Sequence, residues 1–93
     1  MIAISSDTTI SRTSNHVSTE LDGEILLMDI ENGKYFGLKG TALCIWSLIE
    51  SPCTFGELCN RLQDQYRAPA GKIDVDAKNF IALLSEQKLL SLS

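Results

Sequence analysis

The apolar pattern changes period once along the chain. Between His16 and Leu38 it falls into three strand-like runs, His16–Leu21, Glu24–Glu31 and Lys34–Leu38. Asp22-Gly23 and Asn32-Gly33 separate them. These dipeptides are favoured in two-residue type I′ turns, where both central residues need a positive φ. Two tight turns in succession predict a three-stranded antiparallel meander with Glu24–Glu31 in the centre. Two-residue loops pair Leu21 with Glu24, Val17 with Met28, Ile30 with Tyr35 and Glu31 with Lys34, the last a favourable cross-strand charge pair. This register puts Val17, Thr19, Leu21, Leu26, Met28, Ile30 and Tyr35 on one face. His16, Ser18, Glu20, Ile25, Leu27, Asp29, Phe36 and Leu38 fall on the other. The first set is the more apolar and is expected to face the core.

After Gly40 the period is helical. Thr41 is expected to cap a helix from Ala42 to Ile49, apolar on nearly all sides and therefore deeply buried; Ser51-Pro52 ends it. Thr54-Phe55-Gly56-Glu57 fits the capping box. Phe55, Leu58, Cys59, Leu62 and Tyr66 then follow at i, i+3, i+4, i+7 and i+11, an amphipathic stripe. Ala68-Pro69-Ala70-Gly71 breaks the chain. A third helix is expected from near Asp74 to Lys88, with Ala77, Phe80, Ile81 and Leu84 inward, before Leu89, Leu90 and Leu92. Residues 1–15 read either as a frayed arm or as an extra strand from Thr8 to Arg12, set apart from a domain over residues 16–93. Three strands followed by three helices, with a tight break between the first two helices, give an α+β, winged helix-turn-helix-like architecture.

With 93 residues the chain has room for one domain. Hydrophobic residues at 44% and charged residues at 22% place it among globular rather than disordered sequences. Its longest apolar stretch, Ala42 to Trp46 and then Leu48-Ile49, is about a third of a bilayer span. Met1 to Asp7 lacks the basic region and apolar core of a signal peptide. A small cytoplasmic domain with no membrane partner is expected. The net charge of −4 is uneven: residues 1–33 hold six acids and one base, residues 34–93 six acids and seven bases. With a pI of about 4.7, the chain lacks the basic face that nucleic acid requires.

Little in the sequence carries catalytic chemistry. The cysteines, Cys44, Cys53 and Cys59, are odd in number and form no C-x-x-C pair, and the only histidine is His16. Neither a disulfide framework nor a metal site is expected, and Cys44 and Cys59 read as small helix-core residues. His16 has no local partner pattern and reads as a solvated surface histidine. Asp74 and Asp76 suit a helix start, where acids meet the positive end of the dipole. No phosphate loop is present, and Tyr35, Phe36 and Trp46 lack the surrounding cations of a base-stacking surface. No catalytic residue and no cofactor are expected. The third strand is a different matter. Natural sheets usually blunt their edges, yet Lys34 to Leu38 holds no proline, two aromatics and a glycine. Such an edge can accept a partner strand, unless the third helix or the N-terminal arm covers it.

The string from Asp22 to Leu38 resembles the strand meander of PqqD-like proteins. Gly40-Thr41-Ala42-Leu43-Cys44-Ile45-Trp46-Ser47-Leu48 is similar to their first helix, with its small residues at the start and I-W-x-L at the end. Thr54-x-x-Glu57-Leu58, Leu62 and Tyr66 match their second helix. Asp76 through Phe80-Ile81, Leu84 and Leu89-Leu90 match the third. The resemblance covers His16 to Leu90. Lys88 stands where a glycine is common, and Lys39 replaces a frequent asparagine. The short free-standing chain and Tyr66 are most similar to the separate recognition protein of lasso-peptide biosynthesis. PqqD of pyrroloquinoline quinone biosynthesis is the closest rival.

The resemblance implies a recognition element for ribosomally synthesised, post-translationally modified peptides (RiPPs). It would bind the leader segment of a precursor by strand addition. Carried onto this chain, the strand positions are Lys34, Tyr35, Phe36, Gly37 and Leu38, and the groove is completed by Asp76, Asn79, Phe80 and Leu83. Lasso-type leaders would seat an aromatic residue, a proline and a leucine against Tyr35, Phe36, Phe80 and Leu83. The implied partners are a cysteine-protease-like leader peptidase and an ATP-dependent cyclase, with the chain a monomer or weak dimer. Two other readings compete. A DNA-binding winged helix is disfavoured because Arg61 and Arg67 are opposed by Glu57 and Asp64, and Lys78 and Lys88 by Asp74, Asp76 and Glu86. A structural subunit would instead use the same edge to dimerise.

Overall fold

The computed structural model describes residues 4–66 and 71–93. The expected break at Ala68-Pro69-Ala70 lies outside them, as do the first three residues. In chain order the elements are β1 (Thr9–Arg12), β2 (His16–Leu21), β3 (Glu24–Asp29), β4 (Tyr35–Leu38), α1 (Gly40–Leu48), β5 (Cys53–Thr54), α2 (Phe55–Gln65), α3 (Lys72–Glu86) and β6 (Leu90–Leu92). They form two antiparallel sheets, ordered β2-β3-β4 and β5-β1-β6. The α+β meander-then-helices plan is the expected one; the second sheet is additional to it.

The first hairpin is as the sequence predicts. Asp22 and Gly23 both have positive φ (45° and 82°), and Leu21 stands opposite Glu24 and Val17 opposite Met28. The second hairpin is not. Met28, rather than Ile30, faces Tyr35, so the register is displaced by two residues and the loop is longer. In this loop Gly33 has positive φ (71°) and Asn32 does not, which rules out a type I′ turn. The cause is Asp29. Its carboxylate accepts the Asn32 N–H (3.2 Å) and Asn32 Nδ2 (3.0 Å), while its own carbonyl accepts the Gly33 N–H (2.7 Å). The expected Glu31–Lys34 pair is replaced by Glu31–Lys88, at 3.2 Å.

A two-residue shift preserves the faces, but the face that turns inward is the opposite of the expected one. Leu27 and Leu38 are 0% and 3% exposed and Asp29 is fully buried, whereas Val17 is 51% and Tyr35 63% exposed. Connectivity decides this. The chain passes from Leu38 through Lys39 directly into α1, so the helices pack on the side that carries Leu38, and Leu27 and Leu38 join Ile45, Trp46 and Ile49 in one core. Counting apolar residues per face misses this constraint. A buried carboxylate is acceptable on that side because Asn15 and Asn32 satisfy it.

Each helix is fixed by its own ends. Lys39, not Thr41, is the N-cap of α1, without a side-chain cap bond. The expected capping box of α2 is complete: Thr54 Oγ1 accepts the Glu57 N–H (3.2 Å) and Glu57 Oε1 accepts the Thr54 N–H (3.0 Å). The next free amides, Phe55 and Gly56, donate to the carbonyls of Thr8 and Ser6, so the N-terminal segment finishes the cap. Gly56 permits this approach, since a Cβ there would meet Ser6 O at 3.2 Å. Helix α3 begins and ends two residues earlier than expected and buries Ile73, Ala77, Ile81 and Leu84, with Phe80 only half-buried. It closes in a Schellman motif. The Lys88 N–H donates to Ser85 O and the Leu89 N–H to Leu84 O, with Lys88 at φ 61°.

Strand β1 resolves the N-terminal alternative in favour of a strand. Ile10 is fully buried and faces Cys53 on one side and Leu92 on the other. From β1, Arg12 lays its guanidinium 4.2 Å from the centroid of the Trp46 ring and donates from Nη2 to the Trp46 carbonyl. A cation thereby meets the negative end of α1. His16 is not a solvated residue. It is half-buried, edge-on to Trp46 at 5.0 Å, with Nδ1 2.8 Å from Thr13 O.

Candidate functional site: the β4 edge and the flank of α3

Strand β4 is the last strand of its sheet, and no strand is paired to its outer edge among the described residues. The N-terminal strand β1 belongs to the other sheet, and among the described residues it leaves this edge open. Which main-chain groups point outward follows from the ladder. The Asp29 N–H donates to Lys34 O at 2.8 Å, and hydrogen-bonded and non-bonded pairs alternate along an antiparallel ladder. Leu27–Phe36 and Ile25–Leu38 are then bonded pairs, whereas Met28–Tyr35 and Leu26–Gly37 are not. Tyr35 and Gly37 therefore direct their N–H and C=O groups to the open edge. A Cβ on Gly37 would meet nothing within 4 Å, so another backbone has room beside it.

The five strand positions divide by face. Phe36 points inward and packs half-buried against the core; Leu38 is buried, with its main-chain groups turned to β3. Tyr35 points to the outer face of the sheet, away from Phe36. Lys34 is exposed in the turn just before the strand.

On α3, helical spacing aligns Asp76, Phe80 and Leu83 at i, i+4 and i+7 along one flank of the buried stripe. Phe80 rests against the core and Leu83 is 45% exposed, an apolar row left partly open. Asn79 lies farther round the helix, beside a cavity of about 190 Å³ that Phe55 and Val75 also line. The Lys88–Glu31 ion pair, and the Thr13 hydroxyl donating to Lys88 O at 2.7 Å, hold the exit of α3 near the turn that leads into β4.

A larger cavity, about 670 Å³, lies on the opposite flank of α3, between Ser5-Ser6, the start of α2, Asp74 and Lys78. Cys59 opens onto it, but its thiol is pushed up to about 12, first by burial and then by the neighbouring Asp74 carboxylate. It is a protonated, poorly nucleophilic group. Burial also raises the Cys53 thiol. Among the described residues no cluster of His, Cys, Asp or Glu is placed to hold a metal ion, and no helix is long and apolar enough to cross a membrane. The geometry suits capture of an extended peptide.

Sequence reasoning reached the strand and the division of its two faces, but neither which face is buried nor which of its amides are free. The first depends on the direct passage from Leu38 into α1, and the second follows from the alternation of bonded pairs, which a two-residue shift leaves unchanged.

The profile of a family described as coenzyme PQQ synthesis protein D (PqqD) matches residues 24–90. No curated protein matches the chain. Among solved structures, TbiB1 in complex with the TbiA(beta) leader peptide is 27% identical and covers 87% of this chain and 94% of that one, with a TM-score of 0.79. A lasso peptide synthetase B1 complexed with the leader peptide is 17% identical, covering 88% and 96%, with a TM-score of 0.76. At that identity the second likeness is one of fold.

Proposed function

The chain belongs to the PqqD family, and on that premise we propose that it is a non-catalytic module that binds the leader segment of a ribosomally synthesised precursor peptide. The leader adds as a strand to β4, meeting the free main-chain groups of Tyr35 and Gly37, and lies toward the α3 flank of Asp76, Phe80 and Leu83. Main-chain hydrogen bonds supply affinity, and the apolar surface of Phe36, Phe80 and Leu83 selects side chains. The observation that carries this reading is the unpaired β4 edge. Similarity to two proteins described as leader-peptide complexes supports it.

In the lasso-type reading the bound precursor passes to a cysteine-protease-like leader peptidase and then to an ATP-dependent cyclase, in the cytoplasm, from a monomer or weak dimer. The description of the matched family favours a second reading, in which the peptide is the precursor of pyrroloquinoline quinone.

Both are tested by one titration. A synthetic leader from a short reading frame encoded beside this chain is added to the protein and followed by fluorescence polarisation. Saturable binding at micromolar or lower concentration is expected, and the leader's sequence separates the two readings. Absence of binding by a folded monomer would overturn leader recognition.

A further inference from the structure

Among the described residues two other than glycine have a positive φ, Asp22 and Lys88. Asp22 lies in a two-residue turn, and its short polar side chain tolerates that conformation. Neither reason applies to Lys88. At φ 61° its Cβ crowds the backbone where glycine would not. Residues held in strained conformations gather at binding sites, where the surroundings over-determine the backbone. What a lysine adds here is reach. Its Nζ meets Glu31 Oε1 at 3.2 Å, a gap that glycine or asparagine could not span. Glu31 belongs to the loop that leads into β4, whereas Lys88 lies in the turn that closes α3. The ion pair completes a ring. The Glu31 N–H donates to Asn15 Oδ1 (2.8 Å), the Asn15 N–H to Thr13 Oγ1 (3.2 Å), and the Thr13 hydroxyl to Lys88 O (2.7 Å). Within the ring, only the ion pair joins the exit of α3 directly to the loop before β4. Among the described residues no hydrogen bond or ion pair runs between β4 and α3 themselves.

We infer that Lys88 is a positioning residue for leader binding: its pairing with Glu31 holds the Phe80–Leu83 flank of α3 at a fixed spacing from the β4 edge, so that the groove is ready before the leader arrives. The inference rests on the leader-recognition reading. Leu83 precedes Lys88 by about one and a half helical turns, so a shift of the exit carries the apolar row with it. A groove held at one width avoids the ordering that binding otherwise requires. Where strain is kept for a binding role, stability and function oppose each other. A residue that suits the left-handed backbone but lacks the reach therefore gives a protein at least as stable and a weaker grip on the leader. An exposed ion pair contributes at most about 1 kcal/mol, which caps the loss at about fivefold.

The test uses Lys88→Asn, Glu31→Gln, the double variant and Lys88→Arg. Asparagine tolerates the left-handed backbone without reaching Glu31, and arginine keeps both reach and charge. Each variant and the parent are titrated with the synthetic leader by fluorescence polarisation, and the dissociation rate is followed by dilution into unlabelled leader. Urea denaturation is recorded alongside. Lys88→Asn and Glu31→Gln are each expected to bind the leader three- to fivefold more weakly, through faster dissociation. The double variant is expected to lose no more than either single one, and Lys88→Arg to bind like the parent. The urea midpoint of Lys88→Asn is expected at or above that of the parent, an opposition that a purely structural role would not produce. Unchanged leader affinity in both single variants would overturn the inference. So would additive losses in the double variant, or a loss in only one single variant, since the side chains would then touch the leader independently. A midpoint of Lys88→Asn below that of the parent would overturn it as well, by tracing the loss to stability. A folded parent that binds no leader would instead remove the underlying reading, and this inference with it.

Discussion

The carboxylate of Asp29 accepts a 2.8 Å hydrogen bond from Nδ2 of Asn15, fourteen positions earlier, and Asn15 Oδ1 accepts the Glu31 N–H at 2.8 Å. The pair fastens the start of β2 to the turn before β4. The orientation of the open edge thus depends on one buried acid.

That dependence has a pH signature. Hydrogen bonds, chiefly from the Asn32 side chain, hold the Asp29 carboxyl below the usual carboxylate range against the opposing effect of burial. A group depressed in the folded state stabilises above its unfolded value, about 3.9, and loses that contribution as pH falls through the lower folded value. Asp29→Asn is expected to lower the urea midpoint at pH 7 and to flatten the acid limb below about pH 4. Fluorescence of Trp46, the single tryptophan, reads both. An unchanged midpoint at pH 7 would contradict the role given to Asp29.

Lys88 occupies the left-handed position of the Schellman motif at φ 61°, where glycine avoids the Cβ conflict. Lys88→Gly removes the exposed pair with Glu31, a contribution of at most about 1 kcal/mol. It relieves a left-handed penalty of about 1–2 kcal/mol. A net gain between zero and about 2 kcal/mol is expected, seen as a higher denaturation midpoint at unchanged slope.

Strand addition can be separated from side-chain recognition. Gly37→Pro deletes an amide that points away from β3 and leaves the β3–β4 ladder intact. Loss of one backbone hydrogen bond, about 1–1.5 kcal/mol, corresponds to roughly a tenfold weaker leader. Leu83→Asp should abolish binding while leaving circular dichroism unchanged. If Gly37→Pro binds like the parent, the leader does not pair with β4.

The cysteines should react in a set order. Cys44 is half-exposed, with its thiol donating to Gln65 Oε1, whereas Cys53 and Cys59 are buried and have raised pKa values. One thiol is therefore expected to label with maleimide in the native state, mapped to Cys44 by mass spectrometry, and two more only after unfolding. Early labelling of Cys59 would contradict its burial.

Where local chemistry decides the structure, the sequence is readable. The Asp22-Gly23 turn, the capping box at Thr54 and the α2 stripe are each set by neighbours within a few residues. The second hairpin misled because Asn32-Gly33 fits a tight turn until the partners of Asp29 are known, and Asn15 lies in a different element. The buried face of the meander depends on where the helices pack, which no count of apolar residues within the strands contains. The candidate strand was legible from its composition; the flank of α3 came from family resemblance, and the free amides of Tyr35 and Gly37 are the same in the expected and the observed registers, because a shift of two residues preserves the alternation.

The pairing of Ile10 with Leu92 gives the two sheets different histories of assembly. Strands β2, β3 and β4 close through turns of a few residues, so their loop-closure cost is small. The β1–β6 ladder must bring together positions roughly eighty residues apart, at a greater entropic cost and a slower rate. Strand β4, to which we propose the leader adds, can form while the rest of the core is still loose. A peptide present at that moment would meet its docking edge before the chain has finished joining its own distant segments.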